Sequence, residues 1–204
     1  MPEIIITGNG GTPWPANSPY YDGSNGNMAE NAFGDEFGSD NSRWSTQWAF
    51  YQTCITKITS RPMYYFLIAD LLFNRTVEQA RMVTVLTDED KRRFRLALAT
   101  TLLGDGYYGF DRGDILHGQL WWFDEYNIDL GNPRAGYEVP NSYRTNVYGN
   151  GTYSREFSNG SVVVNPTTNV VTVSFLDNRT DVSTGIVSKT FNLTANDGRI
   201  FLKR

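Results

Sequence analysis

Cysteine is almost missing from this sequence: Cys54 is the single one in 204 residues. One thiol excludes an intrachain disulfide, and without a CxxC pair or a Cys/His cluster no zinc pattern exists, so no metal is expected. Histidine is equally scarce, with His117 alone. A Ser–His–Asp arrangement would therefore have one candidate base and no GxSxG turn to serve, and His117 reads as a loop hydrogen-bonder. Gly8-Asn9-Gly10-Gly11 is not followed by GK[ST], so it is not a phosphate-cradling loop, and no cofactor is expected. Positive charge is not in excess: 18 Lys and Arg face 22 Asp and Glu, giving a net charge of −4. With a pI near 5.0, the chain offers no overall basic field for nucleic acid. No apolar run approaches the roughly 20 residues that cross a bilayer, so no membrane partner is expected. The opening MPEIIITGNGG lacks the basic and apolar regions of a secretory signal.

Aromatic residues are abundant instead. They make up 14% of the chain, with 12 Tyr, 12 Phe and 5 Trp, beside 19 Gly. Tyr and Trp join an apolar body to a polar tip, which suits sugar platforms; aromatics also favour strands, so composition alone supports both readings. The densest patch is 118-GQLWWFDEYNIDLGNP-133. Tryptophans beside carboxylates suit a sugar site, and the same residues suit a buried hinge.

Along the chain, Glu3–Thr7 is a short β-branched run of the kind buried on both faces of a parallel sheet. A second strand is expected over 26-GNMAEN-31. Ser42–Ser60 has Trp44, Trp48, Tyr51, Ile55 and Ile58 at helical spacing, and places Cys54 as a small core residue. The run 63-MYYFLIAD-70 is the strongest strand. In 87-TDEDKRRFRLALATTLLG-104, Thr87 or Asp88 caps a helix, acids fill its first turn and Gly104 closes it, with Phe94, Leu98, Leu102 and Leu103 inward. A fourth strand follows over 105-DGYYGFD-111. This alternation of β and α predicts a parallel sheet with ligands at the carboxyl ends of its strands. Asn9, Glu30, Asp70 and Asp111 would converge there. After Pro140 the texture changes to 161-SVVVN-165, 170-VVTVSF-175, 186-IVSKTFNL-193 and 200-IFLK-203, separated by Asn, Asp, Pro and Gly turns, which predicts an antiparallel β module.

Three ordered segments, 102-LLGDGYYGFD-111, 120-LWWFDEYNIDLGNP-133 and 155-REFSNGSVVVNPT-167, resemble the C-terminal half of glycoside-hydrolase-like (β/α)₈ barrel proteins with a C-terminal β module. That group is distantly similar to endo-α-1,4-polygalactosaminidases. The resemblance implies α/β plus all-β architecture: half a (β/α)₈ barrel over 1–136, four parallel strands with helices, then an antiparallel, sandwich-like module over 137–204. Glu3–Thr7 would be barrel strand five, Gly26–Glu30 strand six, Met63–Ala69 strand seven and Asp105–Phe110 strand eight. The four preceding strands, one of which carries a catalytic carboxylate in related barrels, have no counterpart here. The expected partners are accordingly a polysaccharide or oligosaccharide, together with a second copy or a missing N-terminal half to cover the open barrel edge. The resemblance is compatible with an extracellular protein, and the sequence itself leaves the compartment open.

Glu30 matches the other carboxylate, at the end of strand six. It reads as a general acid/base with its pKa raised by burial, or as a rim glutamate bonded to backbone amides. Asp70 reads as its catalytic partner, as a ligand for substrate hydroxyls, or as a turn cap. Asn9, Tyr108, Asp111, Trp121 and Trp122 are the expected substrate-binding residues. Asp105, followed by Gly, reads as turn chemistry, and Asp124 and Glu125 as residues that orient the exit from the barrel. Hydrolysis needs two carboxylates flanking one bond, about 5 Å apart for retention and wider for inversion. The expected function is that of a glycoside-hydrolase-like protein acting on or binding polysaccharide. The alternative is a non-catalytic carbohydrate-binding or self-associating structural protein.

Overall fold

The computed structural model describes residues 26–29, 41–57, 64–69, 75–110, 121–138, 143–145, 147–148 and 151–204. The expected first strand, Glu3–Thr7, lies outside them.

Helix α1 (Asn41–Lys57) buries Trp44, Trp48, Tyr51, Cys54 and Ile55, as three- and four-residue spacing of large apolar side chains dictates. Strand β1 (Gly26–Ala29), β2 (Tyr64–Ala69) and β3 (Tyr107–Phe110) form a parallel sheet in the order β1-β2-β3. A one-turn helix α2 (Val77–Arg81) precedes α3 (Asp88–Leu102), and each opens with a capping box, from Thr76 with Gln79 and from Thr87 with Asp90. Such reciprocal bonds satisfy two amides left free by the first turn. Asp90 does more than cap, because Arg75 grips both its oxygens at 2.5 and 2.8 Å. A 3₁₀ turn, Asp124–Asn127, then leads towards β4 (Arg144–Thr145), β5 (Tyr153–Glu156), β6 (Gly160–Asn165), β7 (Val171–Asp181), β8 (Val187–Leu193) and β9 (Asp197–Lys203). These six strands make one antiparallel sheet, ordered β4-β5-β6-β9-β7-β8.

Half a (β/α)₈ barrel does not form, and the expectation of a half barrel with four parallel strands and helices is corrected here. Among the described residues, three strands are parallel and the larger sheet is antiparallel. The cause is visible on α3. In a (β/α)₈ barrel, helices form the outer ring and show solvent one face. In α3, Leu96 to Thr101 are buried without interruption, and six residues at 3.6 per turn encircle the helix. One side of α3 meets β2 and β3; the other meets β6 and β9. Gly198 of β9 lies so close that a Cβ there would sit 2.5 Å from the Ala99 Cβ and 2.7 Å from the Arg95 carbonyl. The helix is therefore a middle layer between two sheets. Its hydroxyls tolerate this because Thr100 and Thr101 donate to Leu96 and Ala97 carbonyls at 2.7 and 2.9 Å, and the Trp44 indole donates to Thr100 at 3.0 Å.

A core of Trp44, Tyr51, Phe94, Leu96, Val162, Val164 and Ile200, among others, thus runs through both sheets and the helices between them. Strand alternation sends Val163 and Phe201 to the opposite face, where they cluster with Val173, Phe191 and Leu193. An irregularity in β7 between Ser174 and Arg179 bends the strand, as bulges do, and Phe175 meets Phe201 at 5.1 Å across that face.

Candidate functional site

The three segments that carry the barrel resemblance touch one another in space. After α3 the chain turns through Gly104 and Gly106 against Tyr51, whose hydroxyl accepts from the Gly106 amide at 2.7 Å and donates to the Thr101 carbonyl at 2.9 Å. A Cβ at Gly106 would fall 2.5 Å from that hydroxyl oxygen, so a side chain is excluded there. Burial pushes the Tyr51 phenol far above its usual range, so it acts as a neutral strut. Arg155 of the third segment is 1% exposed and reaches back into this turn. Its Nη1 donates to the Leu102 and Gly104 carbonyls, Nε to the Tyr137 carbonyl at 3.1 Å, and Nη2 to Asp105 at 3.0 Å. Asp105 is therefore a structural partner.

The second segment lies between the other two. The Phe123 ring stacks on Phe94 at 3.4 Å and 13°. Tyr126 meets Phe94 edge-on at 5.4 Å. Further along, amides of Ser158 and Asn159 donate to the Asn132 and Leu130 carbonyls at 2.8 and 3.0 Å, and the Arg134 amide donates to Glu156 at 3.0 Å. The stretch from Trp121 to Pro133 is thus pinned on both sides.

Pinning leaves a small cavity of about 210 Å³ beside it, walled by Tyr107, Tyr108, Glu125 and Tyr126 over a floor that includes Leu98 and Ile200. Tyr107 is 54% exposed at its edge, and the 73% exposed Trp122 stands edge-on to Tyr126 at 5.4 Å. Tyr108 is partly buried, its ring 5.7 Å from Phe94. The Tyr126 phenol is raised well above its usual range, first by burial and then by the charge of Glu125, so it stays protonated as a hydrogen-bonding group. Asp124 points away as an exposed residue, whereas Glu125 is partly buried in the wall. Aromatic faces, phenol hydroxyls and one acidic side chain can hold a ring bearing hydroxyls.

Of the expected site residues, Tyr108 stands in the cavity wall, Trp122 lies outside the lining but edge-on to the wall residue Tyr126, and Trp121 is partly buried against the core. The expected catalytic pair Glu30 and Asp70, and the expected sugar ligands Asn9 and Asp111, lie outside the described residues, as does His117. Sequence reasoning weighed the stretch holding Glu125 and Tyr126 as site or hinge, favoured a connecting role for Glu125, and did not count Tyr107 or Tyr126 among the substrate-binding residues. No sequence signal announced the 3₁₀ turn at Asp124–Asn127; once formed, it sends the neighbouring Asp124 and Glu125 side chains to different sides. Among the described residues, no group of three or more His, Cys, Asp and Glu stands where it could hold a metal ion.

No family model matches this chain, and no curated protein matches it.

Proposed function

We propose that the protein binds a carbohydrate chain without cleaving it, seating one sugar ring at the Tyr107–Tyr108–Glu125–Tyr126 cavity. The observation that carries this is the combination of a half-open aromatic wall with a single carboxylate. Tyrosine and tryptophan supply flat apolar faces with polar tips, and a carboxylate accepts hydrogen bonds from neighbouring ring hydroxyls. At about 210 Å³ the cavity is smaller than the roughly 300 Å³ at which sites for drug-sized ligands begin, which suits one ring of a chain that continues over Trp122. Hydrolysis requires a second carboxylate across the bond; in the wall described, Glu125 is the one acid.

Titration with neutral oligosaccharides, followed by tryptophan fluorescence, tests the reading. Trp122→Ala and Glu125→Gln should each weaken binding at least about ten-fold, which corresponds to about 1.4 kcal/mol. The Trp122 variant should unfold at the wild-type temperature, because an exposed substitution away from special features costs within about 0.5 kcal/mol. Binding unchanged in both variants would remove the cavity from the function. Turnover of a glycan that disappears in Glu30→Gln would replace binding by hydrolysis.

A further inference from the structure

A second cleft, of about 930 Å³, opens beside the irregular stretch of β7 and shares no residue with the aromatic cavity. Its lining is unbalanced in charge: Arg134, Arg179, Lys203 and Arg204 face Glu156 and Asp177. Arg179 of β7 stands in register opposite Lys203 of β9, and like charges directly opposite on neighbouring strands repel. Three other arginines in or against this sheet hold carboxylates: Arg95 binds Asp197, Arg199 binds Asp181 and Asp197, and Arg155 binds Asp105. Arg179 differs. It is 9% exposed, its Nε and Nη1 are buried without a hydrogen-bond partner, and its guanidinium carbon lies 5.0 Å from the Phe175 ring. Buried donors of a charged group that find no acceptor are costly for a fold to retain. Lys203 spends its ammonium on two neutral carbonyls, Phe157 and Ser158, at 2.8 and 2.9 Å. Burial, together with the charges of Arg134 and Arg179, lowers its pKa, and Glu156 is the acid that opposes them.

We propose that this cleft binds an oxyanion, a carboxylate, sulfate or phosphate group, which gives Arg179 Nε and Nη1 the acceptors they lack. Arg guanidinium groups present forked donors that match such groups. Tyr148 and Phe175, 5.6 Å apart, wall the same cleft and offer an apolar surface to the body carrying the anion. The oxyanion could be borne by an acidic sugar or be a free inorganic ion, and the experiment separates the two. This assignment is independent of the aromatic cavity, and failure of neutral-glycan binding would leave it standing.

Calorimetric titration would use tri-galacturonate, a neutral trisaccharide of galactose, and inorganic phosphate, each at two ionic strengths. Tri-galacturonate should bind, more weakly at the higher salt, and Arg179→Met should weaken it at least about ten-fold, the equivalent of one charge-assisted contact. The unfolding temperature of Arg179→Met should not fall, because the substitution removes buried donors that lack acceptors and keeps the aliphatic contact. Arg134→Gln, at an exposed position where substitutions cost little stability, should reduce both affinity and salt dependence. Phosphate bound with the same Arg179 dependence, and tri-galacturonate bound no better, would uphold the site and assign it to a free ion. The proposal is overturned if none of the anions binds in an Arg179-dependent way. It is also overturned if Arg179→Met lowers the unfolding temperature while binding persists.

Discussion

Replacing Arg155 by leucine should be among the most damaging single changes in the antiparallel sheet, and the damage should come from carbonyls rather than from charge. Its side chain is 1% exposed, while the carboxylate it pairs with, Asp105, is 41% exposed. Attraction between a buried and a half-exposed charge is heavily screened by water and contributes at most about 1 kcal/mol. The remaining donors hold the Leu102, Gly104 and Tyr137 carbonyls; Leu102 ends α3, whose last carbonyls have no partner within the helix, and Gly104 belongs to the turn after it. Leaving buried carbonyls unpaired costs about 1–3 kcal/mol each. Leu102 and Tyr137 are only partly buried and recover some hydration, so the total is about 3–5 kcal/mol. At roughly 2–4 °C per kcal/mol for a chain of this size, Arg155→Leu should lower the thermal midpoint by about 6–20 °C in circular dichroism. Asp105→Asn should lower it by less than about 4 °C. Arg155→Lys should fall between them, because one ammonium cannot span the same set of acceptors. Equal losses in Asp105→Asn and Arg155→Leu would refute the reasoning and make the ion pair the organising contact. Sugar binding at the Glu125 cavity should weaken along with stability in Arg155→Leu, since Arg155 fixes the turn leading into Tyr107.

Other perturbations separate further parts of the structure. Asp90 is pulled two ways: burial raises its pKa, but the bonds from Arg75 and Thr87 and the Arg75 charge outweigh it, so the carboxyl ionises below its ordinary 3.8. A depressed folded pKa means that this stabilisation is present above the unfolded value and is lost as pH falls through the folded one. Asp90→Asn should therefore cost about 1–2 kcal/mol at pH 7, with the gap closing below about pH 4; a constant gap across that range in pH-dependent urea melts would contradict it. Gly198→Ala should cost about 1–3 kcal/mol or more by overpacking, because the new methyl would meet Ala99 and the Arg95 carbonyl. A wild-type thermal midpoint for that variant would mean that β9 does not lie directly on α3.

The elements that sequence reasoning located were those whose signals are local. Thr87, the acids after it and the apolar residues at helical spacing placed the second long helix at 87–104, and it spans Asp88–Leu102 behind a Thr87 cap. The run 63–70 contains β2, Tyr64–Ala69. The barrel was misread because its closure depends on what covers the far side of a helix, and that is set by distant residues. Phe94, Leu98 and Leu102 define one inner face of α3, but Leu96, Ala99 and Thr100 are buried on other sides, and Gly198 and Ile200 of the last strand decide that. A threonine in a helix reads as solvent-facing until its hydroxyl is seen bonded to its own backbone.

Charge was averaged away for the same reason. An acidic pI near 5.0 is a sum over the whole chain, and it conceals the local excess that antiparallel pairing creates when it sets Arg179 against Lys203. The acids that would balance the sum are spent elsewhere: Asp181 and Asp197 on Arg199, and Asp90 on Arg75. A chain with a net negative charge can thus present a positive cleft, because neutralisation is decided contact by contact. The dense aromatic stretch 118–133 follows the same logic. Its described residues hold the sheets together through Phe123, Leu130 and Asn132. Because those residues are fixed, Glu125 and Tyr126 are held rigidly enough to form one wall of a cavity. Hinge and site are consequences of the same packing, and a substitution at Phe123 should disturb both where one at Trp122 disturbs only the second.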